Sequence, residues 1–225
     1  MGPSLLPDWL LSRHAAALQR GLQAIFLGLV LGSRGVALAR CTDGHDFGSG
    51  MLATGLPAAE QRRLHAAHTL LQQQAAAQLA PAWRKLPYSP HISVLYGLEA
   101  AKQLQLQPLL ATLAAPAPVQ LGALLYWDDT AGDKTTLAIE VHDADARLGR
   151  LHRHAAASLQ LTTRFAYRPH ITLAFLKPRQ RLSSALEAQL RQLLHGPPFI
   201  VNDYYLTDAC GLVVGRAAGN AAADP

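Results

Sequence analysis

Apolar residues recur at helical spacing in several stretches of the chain, with shorter β-like runs between them. Leu10, Leu11, Ala15, Leu18 and Leu22 fall on one side of a helix predicted from Asp8 over residues 8–23. Residues 25–31 and 36–40 are apolar runs around Gly32-Ser33-Arg34-Gly35, which predicts a strand pair on a tight turn. The glycines at 44, 48, 50 and 55 make residues 42–55 a loop. Pro57 suits the first turn of a helix reaching Leu79, with Leu64, Leu71, Ala75 and Leu79 on its apolar side and Pro81 as its stop. Residues 99–114 read as helical around Leu104, Leu109, Leu110 and Leu113, with a break at Pro108. Residues 119–127 and 135–141 form a hairpin pattern. Asp143 caps a helix over 144–160 with Leu148, Leu151, Ala155 and Leu159 inward. Ser184-x-x-Glu187 is a capping-box pattern for a helix ending near Leu194; strands over 199–207 and 212–214 and a loose tail follow.

Two short stretches nearly repeat. Tyr88-Ser89-Pro90-His91-Ile92-Ser93-Val94-Leu95 is echoed by Tyr167-Arg168-Pro169-His170-Ile171-Thr172-Leu173-Ala174, 79 positions later (91 to 170). Each copy lies in an apolar run after a long helical stretch, so the chain is organised as two approximate halves. Side chains alternate across a strand, so His91 shares a face with Ser93, and His170 with Thr172. A histidine in an apolar strand is more often a satisfied structural residue, and one copy alone would mean little. Packing gives no reason to place the same polar pair on one face twice. Two such faces brought together offer two imidazoles and two hydroxyls to one anion.

The chain has 225 residues, half of them hydrophobic, enough to bury a substantial core in one domain or two tightly joined lobes. Twenty Lys and Arg against fifteen Asp and Glu give +5, which suits an anionic substrate but is modest for a protein that coats long nucleic acid. The two cysteines, Cys41 and Cys210, are too few for a disulfide framework, and a reducing compartment is the expectation. The apolar stretch 24–31 is too short to span a bilayer, so no membrane partner is expected. Arg34 interrupts that stretch and favours a cytoplasmic protein; the alternative is a cleaved signal whose small residues lie at 36–39.

With both copies in view, the pair His91-x-Ser93 and His170-x-Thr172 resembles the signature of the 2H phosphoesterase superfamily, which includes 2'-5' RNA ligase-like proteins and cyclic phosphodiesterases. The resemblance spans roughly residues 22–215. It implies an α+β fold of two pseudo-twofold lobes, with antiparallel sheets lining a central cleft and helices packed outside. Residues 1–21 are then an N-terminal helical extension and 216–225 a flexible tail. It also implies metal-independent phosphodiester cleavage with no cofactor. The substrate would be a nucleotide, a cyclic nucleotide or a short RNA. The first copy departs in having Ser where Thr is frequent.

The chemistry fits the residues. Cleaving a phosphodiester takes one proton from the attacking oxygen and gives another to the leaving oxygen, and imidazoles titrate in the useful range. His91 and His170 are the expected acid–base pair, with Ser93 and Thr172 as phosphate donors. Arg168, two residues before His170, is expected on the same face as a phosphate ligand; Ser89 stands in its place in the first copy. Tyr96, Tyr126, Trp127 and Tyr204, with Tyr205 beside it, are candidates for stacking on a base. Arg84, Lys85, Lys177, Arg179 and Arg181 read as solvated charges, and Tyr88 and Tyr167 as packing residues. His65 with His68, and His152 with His154, lack a third ligand at metal spacing, and a metal on Cys41, His45 and Asp46 is disfavoured. The rival readings are a module that binds RNA or a cyclic nucleotide without turnover, and an RNA 2'-5' ligase.

Overall fold

The computed structural model describes residues 49–81, 88–113, 115–129, 132–162 and 166–217. The helix expected over 8–23, the strand pair at 25–40, the metal alternative at Cys41, Arg84 and Lys85, and the tail from 218 lie outside them. The elements in chain order are β1 (Gly50–Thr54), α1 (Ala58–Gln74), β2 (Ile92–Leu98), α2 (Ala100–Leu113), β3 (Ala117–Asp128), β4 (Thr135–His142), α3 (Arg147–Ser158), β5 (His170–Leu176), α4 (Ser184–Leu194), β6 (Phe199–Val201), β7 (Tyr204–Thr207) and β8 (Val213–Arg216).

The expected α+β architecture is present as two four-stranded antiparallel sheets, ordered β2-β1-β7-β8 and β5-β4-β3-β6. The orders correspond position by position, and in each sheet the strand carrying a histidine motif is an edge. The halves are interwoven. β3, which follows the first half, joins the second sheet beside β4, and β7, which follows the second half, joins the first sheet beside β1. Helices cross over in the same way: α1 packs on β5 and α4, while α3 packs on β2 and α2. One contiguous apolar core results, containing Leu64, Leu71, Ala75 and Leu79 from the α1 region and Leu148, Leu151, Ala155 and Leu159 from the α3 region.

Several expectations are corrected. Gly50 and Gly55 do not mark a loop; they bracket a central strand, because a Cβ at Gly50 would collide with the Thr207 carbonyl and one at Gly55 would lie 2.7 Å from Asp203 Oδ2. The run 199–207 divides at Asn202-Asp203 into β6 and β7, which belong to different sheets. α2 continues through Pro108, an exposed position whose freed carbonyl partner, Leu104, is 71% exposed and can be solvated. The buried side of α2 is Leu106 and Leu110; Leu104 and Leu109 face outward.

The helix starts are built from the expected residues with small shifts. Ser183, one place before the expected cap, accepts from Leu186 N at 3.3 Å. Asp143 reaches α3 from a distance, its carboxylate accepting from Arg147 N at 2.9 Å and Gly149 N at 3.1 Å. Among the described residues no helix is long and apolar enough to cross a membrane.

Candidate active site

The two histidine motifs sit on the edges of their respective sheets, and these edges, β2 and β5, contact one another. Each imidazole is held in the same way. His91 Nδ1 lies 2.8 Å from the Ser89 carbonyl, and His170 Nδ1 lies 2.8 Å from the Arg168 carbonyl. A carbonyl can only accept, so both Nδ1 atoms carry hydrogen and Nε2 is left as the nitrogen that exchanges a proton with a ligand. Burial pushes His91 below the ordinary imidazole pKa, the Ser89 carbonyl pulls it back, and the charge of His170 lowers it further. Burial likewise lowers His170, opposed by the Arg168 carbonyl and assisted by the Arg168 guanidinium.

Matching irregularities shape the two strands. Between Leu52 and Ala53 the β2 partner jumps from Leu95 to Ser93, leaving Val94 as an extra residue. Between Leu137 and Ala138 the β5 partner jumps from Ala174 to Thr172, leaving Leu173 extra. A one-residue bulge reverses the alternation beyond it. Val94 and Leu95 are consecutively buried, as are Leu173 and Ala174, and the next residues, Tyr96 and Phe175, turn to the face of the histidines. Tyr96 is 58% exposed, and its phenol meets the Ser93 hydroxyl. Phe175, with Lys134 Nζ 5.2 Å from its ring centre, is a site-facing residue that plain alternation assigns to the other side. The available signal was an aromatic residue five places after each histidine.

Ser93 Oγ lies 3.5 Å from Met51 Sδ, a weak acceptor. Thr172 is half-buried on the corresponding face. Trp127, whose strand position pairs with Thr136 opposite Phe175, sets its ring at 83° to His170 with centroids 4.9 Å apart. Arg168 does not stand alone as an anion ligand: its Nε and Nη2 donate to Glu140 Oε1 at 3.1 and 2.8 Å. Glu140 is itself the cross-strand partner of His170.

Two expected stacking residues lie elsewhere. Tyr126 alternates to the helix side of its sheet, donates to Glu187 Oε1 at 2.7 Å and lies under Arg181. Tyr204 is 1% exposed and donates to the Ala115 carbonyl at 2.8 Å. The neighbouring Tyr205 pairs with Ala53, opposite Ser93, and carries the Arg216 guanidinium 5.8 Å over its ring. Among the described residues no group of three His, Cys, Asp or Glu is placed to hold a metal ion.

Tyr88 and Tyr167, expected only to pack, have a further role in the geometry. The Tyr88 hydroxyl donates to the Thr172 carbonyl at 3.2 Å, and the Tyr167 hydroxyl donates to the Ser93 carbonyl at 3.1 Å. The tyrosine of each motif therefore bonds to the other motif.

No family model matches the chain, and no curated protein matches it. Among solved structures it is similar to Usb1 of Kluyveromyces marxianus at 13% identity, with 72% of this chain and 94% of that one covered and a TM-score of 0.46. TT0787 of Thermus thermophilus is similar at 17% identity over 70% of this chain and 86% of that one, TM-score 0.45. LigT of E. coli complexed with 3'-AMP is similar at 16% identity over 70% and 86%, TM-score 0.41. At these identities and scores, the functional reading rests on the site's own geometry.

Proposed function

We propose that this chain is a 2H-type phosphoesterase that cleaves a phosphodiester of a nucleotide or short oligonucleotide, with His91 and His170 as general acid and base. The observation that carries the reading is the duplicated arrangement itself. Two edge strands meet, and each has a histidine whose Nδ1–H is anchored to the carbonyl two residues before it, with a hydroxyl residue two positions after it.

On a 2',3'-cyclic phosphate, the neutral imidazole takes a proton from water at Nε2 as the water oxygen bonds to phosphorus. The bond from phosphorus to one ribose oxygen breaks, and the imidazolium gives its Nε2 proton to that oxygen. On a 2'-5' or 3'-5' linkage, the base takes the proton of the neighbouring ribose hydroxyl instead. The product is then a cyclic phosphate and a free 5'-hydroxyl. Ser93 and Thr172 donate to the non-bridging oxygens without adding charge, and Arg168 supplies positive charge beside His170. Tyr96, Phe175 and Trp127 flank this chemistry with apolar faces suited to a base. The division of labour assigns every proton to a side chain and calls for no metal.

The test is incubation of purified protein, in buffer containing EDTA, with 2',3'-cyclic nucleotides, 2'-5' and 3'-5' dinucleotides and RNA ends. Products are identified by chromatography. Turnover dependent on both histidines is expected. Saturable binding with no product would replace the enzyme by a binding module, and joined RNA ends would identify a ligase.

A further inference from the structure

Each histidine motif carries a bulge directly after its hydroxyl residue, and each bulge is held by side chains from the other half of the chain. In the first motif, the Ser93 carbonyl accepts from Tyr167 at 3.1 Å, and the next carbonyl, Val94, accepts from His152 Nδ1 at 2.7 Å. Tyr167 and His152 are stacked, with centroids 4.5 Å apart and planes 7° from parallel. In the second motif, the Thr172 carbonyl accepts from Tyr88 at 3.2 Å, and the pKa of His68, lowered by burial, is drawn back up by the Leu173 carbonyl. Tyr88 and His68 are stacked at 4.4 Å and 5°. The phenol bond and the stacked histidine recur with every partner exchanged.

A bulge on an edge strand takes its peptide groups out of the ladder, so their orientation needs other partners. At the first bulge two donors from one stacked pair, on two successive carbonyls, supply them; at the second the Tyr88 phenol does. The peptide that follows Ser93, or Thr172, is thereby fixed, and with it the Cα–Cβ bond from which the hydroxyl extends. Burial raises the pKa of both phenols, so each stays a donor across the working range of an imidazole pair. The helix exchange explains the origin of the donors: α1, which carries His68, packs on β5, and α3, which carries His152, packs on β2.

We propose that Tyr88 and Tyr167 are crossed positioning residues: Tyr167, in the second motif, sets the hydroxyl of Ser93 in the first, and Tyr88 sets that of Thr172. This rests on the phosphoesterase reading given above. The phenols tie two sheets that share no ladder, so they fix the separation of the two phosphate donors. A phenylalanine keeps the ring and its stack and removes the tie alone.

The experiment is a set of double-mutant cycles among Tyr88→Phe, Tyr167→Phe, Ser93→Ala and Thr172→Ala, read as kcat and KM on 2',3'-cyclic AMP. Each tyrosine change is expected to lower kcat about 10-fold, the order of one hydrogen bond, with little change in KM. Tyr167→Phe loses that effect in the Ser93→Ala background and keeps it in the Thr172→Ala background; Tyr88→Phe does the reverse. Reinstating the phenol as 3-fluorotyrosine at position 167 returns the rate. Equal losses in both backgrounds, coupling within a motif rather than across, or no loss at all would overturn the proposal. If wild-type protein turns over no nucleotide, the phosphoesterase reading fails, and the same cycles are read by calorimetry with inorganic phosphate. Crossed coupling there supports the positioning role; uncrossed or absent coupling rejects it. If one phenylalanine variant does not fold, its mirror variant carries the same comparison.

Discussion

The Tyr167 hydroxyl donates to the Ser93 carbonyl across 3.1 Å, linking residues 74 positions apart, one on the edge strand of the first sheet and one three residues before the edge strand of the second. Its counterpart runs from Tyr88 to Thr172. Neither pair is joined by a strand ladder, so these bonds set how the two edges meet. A neutral hydrogen bond of this kind contributes about 1 kcal/mol net, small against the whole fold but comparable with a tenfold change in rate.

Both imidazoles proposed as acid and base lie below their ordinary pKa of 6.5, mainly through burial. The acid must be protonated and the base neutral, so activity falls on the alkaline side as the acid loses its proton. For free enzyme the bell in kcat/KM is therefore centred below pH 6.5, with both limbs belonging to the coupled pair. A bound phosphate anion favours the imidazolium, so the kcat bell shifts upward relative to that for kcat/KM. Parallel pH series of the two parameters check this, and a kcat/KM optimum well above neutrality contradicts it.

The same shifts link stability to pH. His68, His91 and His170 are each less willing to protonate folded than unfolded. In the window below the unfolded value near 6.5 the unfolded chain binds more protons, so the histidine contribution is whole above that value and declines as pH falls through the folded pKa values. Thermal midpoints should drop on acidification through this window. Replacing His68, His91 or His170 by Asn should make the slope shallower; an unchanged slope in all three would show that the burial effect is absent.

Arg168 and Glu140 form an exposed ion pair beside His170. Such pairs contribute about 1 kcal/mol or less to stability, so Arg168→Met should leave the thermal midpoint nearly unchanged. Its charge, however, lowers the His170 pKa. The variant should move one limb of the pH–rate bell to higher pH and raise KM for a phosphodiester, while Arg168→Lys preserves the limb. A variant with an unaltered profile would remove Arg168 from the site.

Tyr96 offers an exposed ring five positions after His91. Stacking on an aromatic ring contributes about 1–3 kcal/mol per base, so Tyr96→Leu should raise KM for 2',3'-cyclic nucleotides about 5- to 150-fold. A cyclic phosphate of a small diol, which has no base, should lose less, only what the Tyr96–Ser93 hydrogen bond contributes. Equal losses on both substrates would assign Tyr96 to the fold instead.

Much of this was legible in the sequence because it is local. The periodicity of Leu64, Leu71 and Ala75, and of Leu148, Leu151 and Ala155, identified the buried helix faces, and repetition singled out His91, Ser93, His170 and Thr172. The failures have a common physical origin in non-local constraint. Gly50 looked like loop punctuation, although it is the close approach of a neighbouring strand's carbonyl that requires it. Asn202-Asp203 gave no sign that the chain changes sheets there. Strict alternation would put Phe175 on the face away from His170, but Leu173 is an extra residue in the strand. Tyr126 and Tyr204 looked like any aromatic in a strand until their partners, Glu187 and the Ala115 carbonyl, were in place. The crossed phenols could not be read at all, since each partner is a backbone carbonyl in the opposite half.

The most direct test of the two-histidine account is the rate of cyclic nucleotide hydrolysis by wild type, His91→Ala, His170→Ala and the double variant, all shown to be folded. Each single change should cost about 10²- to 10⁴-fold in kcat, and the double change should be little worse than either single change, because the two imidazoles act on one phosphorus as a unit. Near-normal turnover in either single variant, or losses that simply multiply, would contradict it.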